Sequence, residues 1–281
     1  MKNSNEALKY VATAFANYSK GNYDEAISEC TKAIQVDPEF SDAYSLRGIC
    51  YYKKGEYNRA ISDYNKAIEL NSADSLTYYN RGVVYEKITE YDKAISDYSK
   101  AIELDPENIE AYYNRGVIYL YKMQYDKAID DFTRAIGLKP DYAKAYLNRG
   151  YAYNQKEEYD KAIDDLNKAI EIVPNYIEAY HNRANAYLYK REYDKAIADY
   201  NKVIENEPWN EEAYYGRGIA YENKKEYDMA IADFSKIIEM NPMFIKAYER
   251  RGEVYAKKGQ HDKANADFNK AKEIKEKLIM G

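Results

Sequence analysis

Residues 109–142 read IEAYYNRGVIYLYKMQYDKAIDDFTRAIGLKPDY, and this 34-residue pattern recurs without insertion or deletion over almost the whole 281-residue chain. With Ile109 as position 1, the eight frames are 7–40, 41–74, 75–108, 109–142, 143–176, 177–210, 211–244 and 245–278. Position 4 is Tyr and position 20 is Ala in all eight. Position 8 is small throughout (Ala14, Gly48, Gly82, Gly116, Gly150, Ala184, Gly218, Gly252), and every proline (Pro38, Pro106, Pro140, Pro174, Pro208, Pro242) falls at position 32. A fixed period of this length marks a repeat architecture, in which each unit buries its apolar faces against its neighbours.

Each frame carries two helical stripes. Positions 4, 8 and 11 (Tyr112, Gly116, Tyr119) share one face, and positions 17, 20, 21, 24, 27 and 28 (Tyr125, Ala128, Ile129, Phe132, Ala135, Ile136) share another. Small residues at positions 8 and 20 let the two helices approach closely. Proline at position 32 disfavours helix at position 31 and closes the second helix. Ser72 stands there in the second frame, where the helix is expected to end less sharply.

Period and columns together resemble the tetratricopeptide repeat, and the resemblance covers nearly the whole chain. It implies an all-α fold, a right-handed α-solenoid of eight helix-turn-helix repeats. No linker or low-complexity run interrupts the frames, so residues 1–281 are read as a single solenoid domain. In the last frame Asn265 and Lys272 replace the isoleucines of positions 21 and 28, as a terminal cap requires. Ile274, Leu278, Ile279 and Met280 offer a seat for a partner or a second copy of the chain.

A net charge of −6 argues against a nucleic-acid binder, which needs a basic stripe to neutralise phosphates. No stretch has the apolar length of a membrane span or a signal peptide, so the chain is read as cytoplasmic. Cys30 and Cys50 occupy apolar columns and are read as reduced core residues. With two histidines, no glycine-rich phosphate loop, no CxxC pair and no nucleophile motif, the expectation is a protein without catalytic residues, cofactor or metal.

One charged pattern is unusual for the family. Position 7, commonly leucine, is Arg in seven frames (Arg47, Arg81, Arg115, Arg149, Arg183, Arg217, Arg251), and position 23 is acidic in all eight. In an antiparallel hairpin these positions stand at similar heights, so the columns are expected to pair and set the hairpin's register. The frame that lacks the arginine (Thr13) is also the one with Glu29 in place of Asp, which favours pairing within a frame. As partly exposed pairs, each is expected to contribute roughly 0–1 kcal/mol.

Of 35 tyrosines, 25 lie in columns 4, 11, 17 and 24, and the remaining ten all fall at positions 5, 9, 12, 13 or 34. The resemblance implies that first-helix positions 2, 5, 9, 12 and 13 line a groove for protein or peptide ligands. The candidate groove residues are Tyr79, Asn80, Tyr113, Asn114, Tyr121, Asn148, Tyr151, His181, Asn182, Asn185, Tyr189 and Tyr215. Asn80, Asn114, Asn148 and Asn182 recur at position 6 and resemble the asparagine ladder of O-linked N-acetylglucosamine transferases, where carboxamides clamp a peptide backbone. In the last three frames His181, Asn185, Lys246 and Arg250 resemble the carboxylate clamp of chaperone adaptors, although Gly216 stands where that clamp has an asparagine. The expected function is a scaffold for an extended polypeptide. The alternatives are a self-assembling or engineered structural array and an adaptor for C-terminal carboxylates.

Overall fold

The structure, a computed structural model, describes residues 2–280, with side chains from 5 to 278. The side chains of Ile279 and Met280 therefore lie outside the described residues. The chain divides into two compact units, residues 1–139 and 140–281. Unit 1 contains α1 (Lys2–Ser19), α2 (Tyr23–Val36), α3 (Ser41–Lys53), α4 (Tyr57–Leu70), α5 (Ser75–Lys87), α6 (Tyr91–Leu104), α7 (Ile109–Tyr121) and α8 (Tyr125–Leu138). Unit 2 contains α9 (Ala143–Gln155), α10 (Tyr159–Ile172), α11 (Ile177–Tyr189), α12 (Tyr193–Asn206), α13 (Glu211–Asn223), α14 (Tyr227–Met240), α15 (Ile245–Lys257) and α16 (His261–Met280). The described residues form no strand, and the fold is an all-α solenoid of eight helix-turn-helix repeats.

In each repeat the odd-numbered helix packs against the even-numbered helix that follows. Odd helices also touch across repeats, α1 with α3 and α3 with α5 in unit 1, α9 with α11 and α11 with α13 in unit 2. They form the inner layer of each unit.

The turn between the two helices has a regular cause that the sequence does not display. Position 15 adopts positive φ in every repeat, at Gly21, Gly55 and Gly259 but also at Thr89, Met123, Glu157, Arg191 and Lys225. The amide of position 16 donates to the carbonyl of position 11 and that of position 15 to position 12, as in Glu90 to Tyr85 (2.8 Å) and Thr89 to Glu86 (2.9 Å). This is a Schellman motif, which satisfies the orphan carbonyls at a helix end.

The second helix stops at position 30 in repeats one to seven, with position 31 out of helical geometry. The second repeat does not end less sharply for want of proline: Asn71 sits at φ −140°, ψ 91°, like its counterparts. Its carboxamide oxygen accepts from the Ala73 amide (3.1 Å), and Asp37, Asp105 and Asn241 make the equivalent turn.

The buried stripe of the first helix differs from the predicted one. In repeats two to eight positions 3, 8 and 10 are fully enclosed, as in Ala111, Gly116 and Ile118, whereas the tyrosines of positions 4 and 11 are mostly half-buried. What those tyrosines cover is the arginine column. Each arginine makes a bidentate pair with the aspartate of its own repeat, for example Arg115 Nε to Asp131 Oδ2 (2.8 Å) and Nη2 to Oδ1 (2.7 Å). Nη1 also reaches position 25 of the preceding repeat, as Arg81 does to Asn65 (2.6 Å) and Arg251 to Ser235 (2.8 Å). The guanidinium then lies over the rings at positions 4 and 11, for Arg183 those of Tyr180 (5.3 Å) and Tyr187 (5.9 Å).

The pairs are thus buried, with the aspartates about 5% exposed, and not partly exposed as expected. Removing one partner strands a charge in the interior. The bond to Asp63 pushes Arg47 up from its ordinary value, and burial pushes the Asp131 and Asp165 carboxyls up.

Asn265 and Lys272 of the last repeat are exposed. Ile274 is not a free seat: it is 2% exposed and packs on Tyr248 and Ala271, while Leu278 remains exposed. Cys30 and Cys50 are free buried thiols, pushed by burial up to about 12 and about 11.

Candidate functional site

The inner face of unit 2 holds three adjoining cavities built on the first helices of repeats five to eight. The first, about 300 Å³, lies among Tyr151, Glu178, His181, Asn182, Glu207 and Glu212. The second, about 340 Å³, shares Tyr151, Asn182 and Asn185 with it and adds Asn154, Glu157, Tyr159 and Tyr189. A third of about 290 Å³ takes in His181, Asn185, Tyr200, Tyr215, Gly216 and Lys246. Seven of the residues singled out in the sequence meet here: Tyr151, His181, Asn182, Asn185, Tyr189, Tyr215 and Lys246.

The local geometry follows from helical spacing. Positions 5, 6, 9 and 13 of α11 bring His181, Asn182, Asn185 and Tyr189 onto one flank. Asn182 donates from Nδ2 to the carbonyl of Glu178 (2.9 Å), and Asn154 Nδ2 donates to the Asn182 carbonyl (2.8 Å). Asn154 Oδ1 is buried without a hydrogen-bond partner among the described residues. Tyr189 is 67% exposed and stacks on Tyr159 of the preceding repeat at 5.4 Å and 11°. Burial pushes the His181 imidazole below its ordinary value against the pull of Glu212, whose Oε2 is 3.9 Å from Nε2. Burial thus disfavours the cationic form of His181.

Arg250, the last member of the sequence-derived clamp, does not line these cavities; it bonds to Glu253 (2.9 Å) and is held further up in pKa by Tyr215. Gly216 has a packing cause. A Cβ there would collide with Cζ and Oη of Tyr200, whose hydroxyl donates to Asn185 Oδ1 (2.6 Å).

In unit 1 the candidates lie on the corresponding flank. Tyr79, Asn80, Tyr113 and Asn114 are half-buried, and Asn114 Nδ2 donates to the Tyr79 hydroxyl (3.3 Å). Tyr113 packs on Phe132 (5.8 Å), and Tyr121, 69% exposed, stacks on Tyr91 (6.1 Å, 17°). Asn148, in unit 2, is half-buried on α9. Sequence reading missed the carboxylates Glu178, Glu207 and Glu212; Glu178 and Glu212 occupy position 2, a flank position whose charge was legible, whereas Glu207 enters from the connection after α12.

Stacked helix pairs with a pocketed inner layer define a helical-repeat scaffold. Among the described residues no cluster of three or more His, Cys, Asp or Glu could hold a metal ion, and no helix is long and apolar enough to cross a membrane. A family profile described as the tetratricopeptide repeat protein 21 N-terminal ARM repeat matches residues 1–197. Tetratricopeptide repeat profiles match 211–244 and 245–278, and a further TPR profile matches 184–225. The chain belongs to the tetratricopeptide repeat family, a fold of protein-interaction scaffolds. The matches at 211–244 and 245–278 coincide with the seventh and eighth frames.

Among solved structures, one of the MamA protein shares 30% identity over 59% of this chain and 91% of that chain, with a TM-score of 0.55. YrrB, described as a TPR protein with an unusual peptide-binding site, shares 28% identity over 69% of this chain and 97% of its own, with a TM-score of 0.61. The C-terminal part of a TPR repeat-containing protein from Cytophaga hutchinsonii has a TM-score of 0.70 at 24% identity, covering 85% of this chain and 98% of that chain, a likeness of fold alone. No curated protein matches the sequence.

Proposed function

We propose that the chain is a cytoplasmic adaptor that holds an extended polypeptide against the inner, first-helix layer of its repeats, with no cofactor and no chemistry of its own. The observation that carries this reading is the run of adjoining cavities in unit 2, where carboxamides and exposed tyrosine faces converge. Carboxamides donate and accept, so they suit a peptide backbone whatever its side chains, while tyrosines supply rigid amphipathic contact area. The unusual peptide-binding site of YrrB supports the same assignment. In this reading the eight repeats work as one domain, and the asparagines of position 6 provide sequence-tolerant contacts.

The test is binding of extended peptides by fluorescence anisotropy. Replacing Asn114, Asn148 and Asn182 with Ala is expected to weaken all ligands alike, while Tyr113→Ala and Tyr151→Ala change which ligands are preferred. Unchanged affinity of the triple variant for every ligand would remove the asparagines from the site. The carboxylate-clamp reading draws on Lys246 beside His181 and Asn185, but burial disfavours a cationic His181, and Gly216 brings no side-chain donor. Amidating a bound peptide is therefore expected to cost less than about tenfold in affinity, and Arg250→Ala to be tolerated.

A further inference from the structure

The chain shows how it holds its own arginines. Arg183 bonds twice to the Asp199 carboxylate (2.7 Å each), once to the carboxamide oxygen of Asn167 (2.5 Å), and lies over the rings of Tyr180 and Tyr187. Carboxylate, amide or hydroxyl oxygen and tyrosine faces recur around the other column arginines.

The first two cavities of unit 2 present the same kinds of group around an open space. Glu178, Glu207 and Glu212 stand at the first and Glu157 at the second, and no lysine or arginine lines either. Glu207 uses Oε2 to accept from Asn210 (2.7 Å), which leaves its other oxygen available. Asn182, common to both cavities, commits its Nδ2 to the helix and keeps its carboxamide oxygen for an incoming donor.

Tyr151 and Tyr189 differ from the tyrosines of positions 4 and 11. They are 38% and 67% exposed, and neither carries a cation over its ring among the described residues. Among the described residues lining the first cavity, the carboxylates Glu178, Glu207 and Glu212 face no lysine or arginine, and burial disfavours a cationic His181.

An anionic or purely apolar side chain is poorly matched to such a surface. A guanidinium fits it: a planar fork of donors for the carboxylates and carboxamide, with a face that stacks on tyrosine. Resting on the polypeptide-binding reading above, we infer that the two cavities receive an arginine side chain of the bound polypeptide, and that Glu178 and Glu212 select it.

The test uses an array of short random-sequence peptides, acetylated and amidated at their ends, probed with the whole chain. Retained peptides are expected to be enriched in arginine. Resynthesised with citrulline at that position, which keeps the shape and loses the charge, the tightest ligand is expected to bind at least about tenfold more weakly. The Glu178→Gln, Glu212→Gln double variant is expected to lose the preference for arginine over citrulline while keeping its helical circular dichroism, since both residues lie outside the buried core. Retained peptides without arginine enrichment, or equal affinity for arginine and citrulline, would overturn the inference and leave the groove reading standing. Lysine binding as well as arginine would overturn the guanidinium geometry, and the absence of any bound peptide would overturn both readings.

Discussion

Repeats three and six differ by one methyl group at position 8, and the surroundings of one tyrosine differ with it. In repeat three Gly82 leaves room for Tyr98: a Cβ on Gly82 would stand 2.8 Å from Cε1 of that ring. The Tyr98 hydroxyl then donates to Glu86 within the repeat (2.6 Å), and position 6 of the next repeat is free to carry Asn114. In repeat six Ala184 carries that methyl, and the Tyr200 ring lies against position 6 of the next repeat, where a Cβ on Gly216 would collide with its Cζ and Oη. Its hydroxyl takes Asn185, and its ring meets His181 edge-on at 6.1 Å and 81°. A core residue thus decides which polar groups the inner face can present. Ala14 of repeat one needs no such adjustment, because position 24 there is Cys30, a much smaller side chain.

The largest effect tests what the two repeats share. Both keep the buried arginine–aspartate pair, so Asp97→Leu and Asp199→Leu are each expected to destabilise their unit by about 3–5 kcal/mol, read by urea denaturation. Replacing Arg and Asp together is expected to cost less than either alone, and strictly additive losses would show that the pair is not coupled.

The next effect tests what separates them. Gly216→Asn forces the Tyr200 ring aside and is expected to cost about 1–3 kcal/mol. Adding Ala184→Gly should return most of that loss by reopening the place the ring has in repeat three. A double variant no more stable than Gly216→Asn alone would break the proposed exchange of space. Smaller again is the turn: Thr89 and Arg191 both hold positive φ, and glycine at either is expected to gain up to about 1 kcal/mol in thermal stability, more for the β-branched Thr89.

The smallest effect belongs to His181 alone. Its folded pKa lies below the ordinary 6.5 because of burial, so the unfolded chain binds the proton more readily. The resulting stability is fully present above about pH 6.5 and falls as the pH drops through that value toward the folded pKa. His181→Tyr, which gives repeat six the tyrosine that repeats three, four and seven have at this position, should flatten that slope. An unchanged pH profile would mean that another group carries it.

What the sequence determined by itself is everything that depends on spacing. A strict 34-residue period fixes the repeat count, and 3.6-residue periodicity with alanine at position 20 and proline at 32 fixes two helices per repeat. The arginine and aspartate columns could be matched by height alone, because a hairpin imposes that geometry. The inner-face tyrosines and asparagines were legible for the same reason. Tertiary structure decided what depends on volume and on neighbours outside the frame. Gly216 reads as a missing asparagine until the Tyr200 ring is placed beside it, and Glu207 joins the cavity only through the fold of its connection. The left-handed turn at position 15 was hidden because Thr89, Met123, Glu157, Arg191 and Lys225 are not residues that favour it. The Schellman bonds and the packing of each hairpin hold them there, and such cooperative constraints leave no mark at a single position of the sequence.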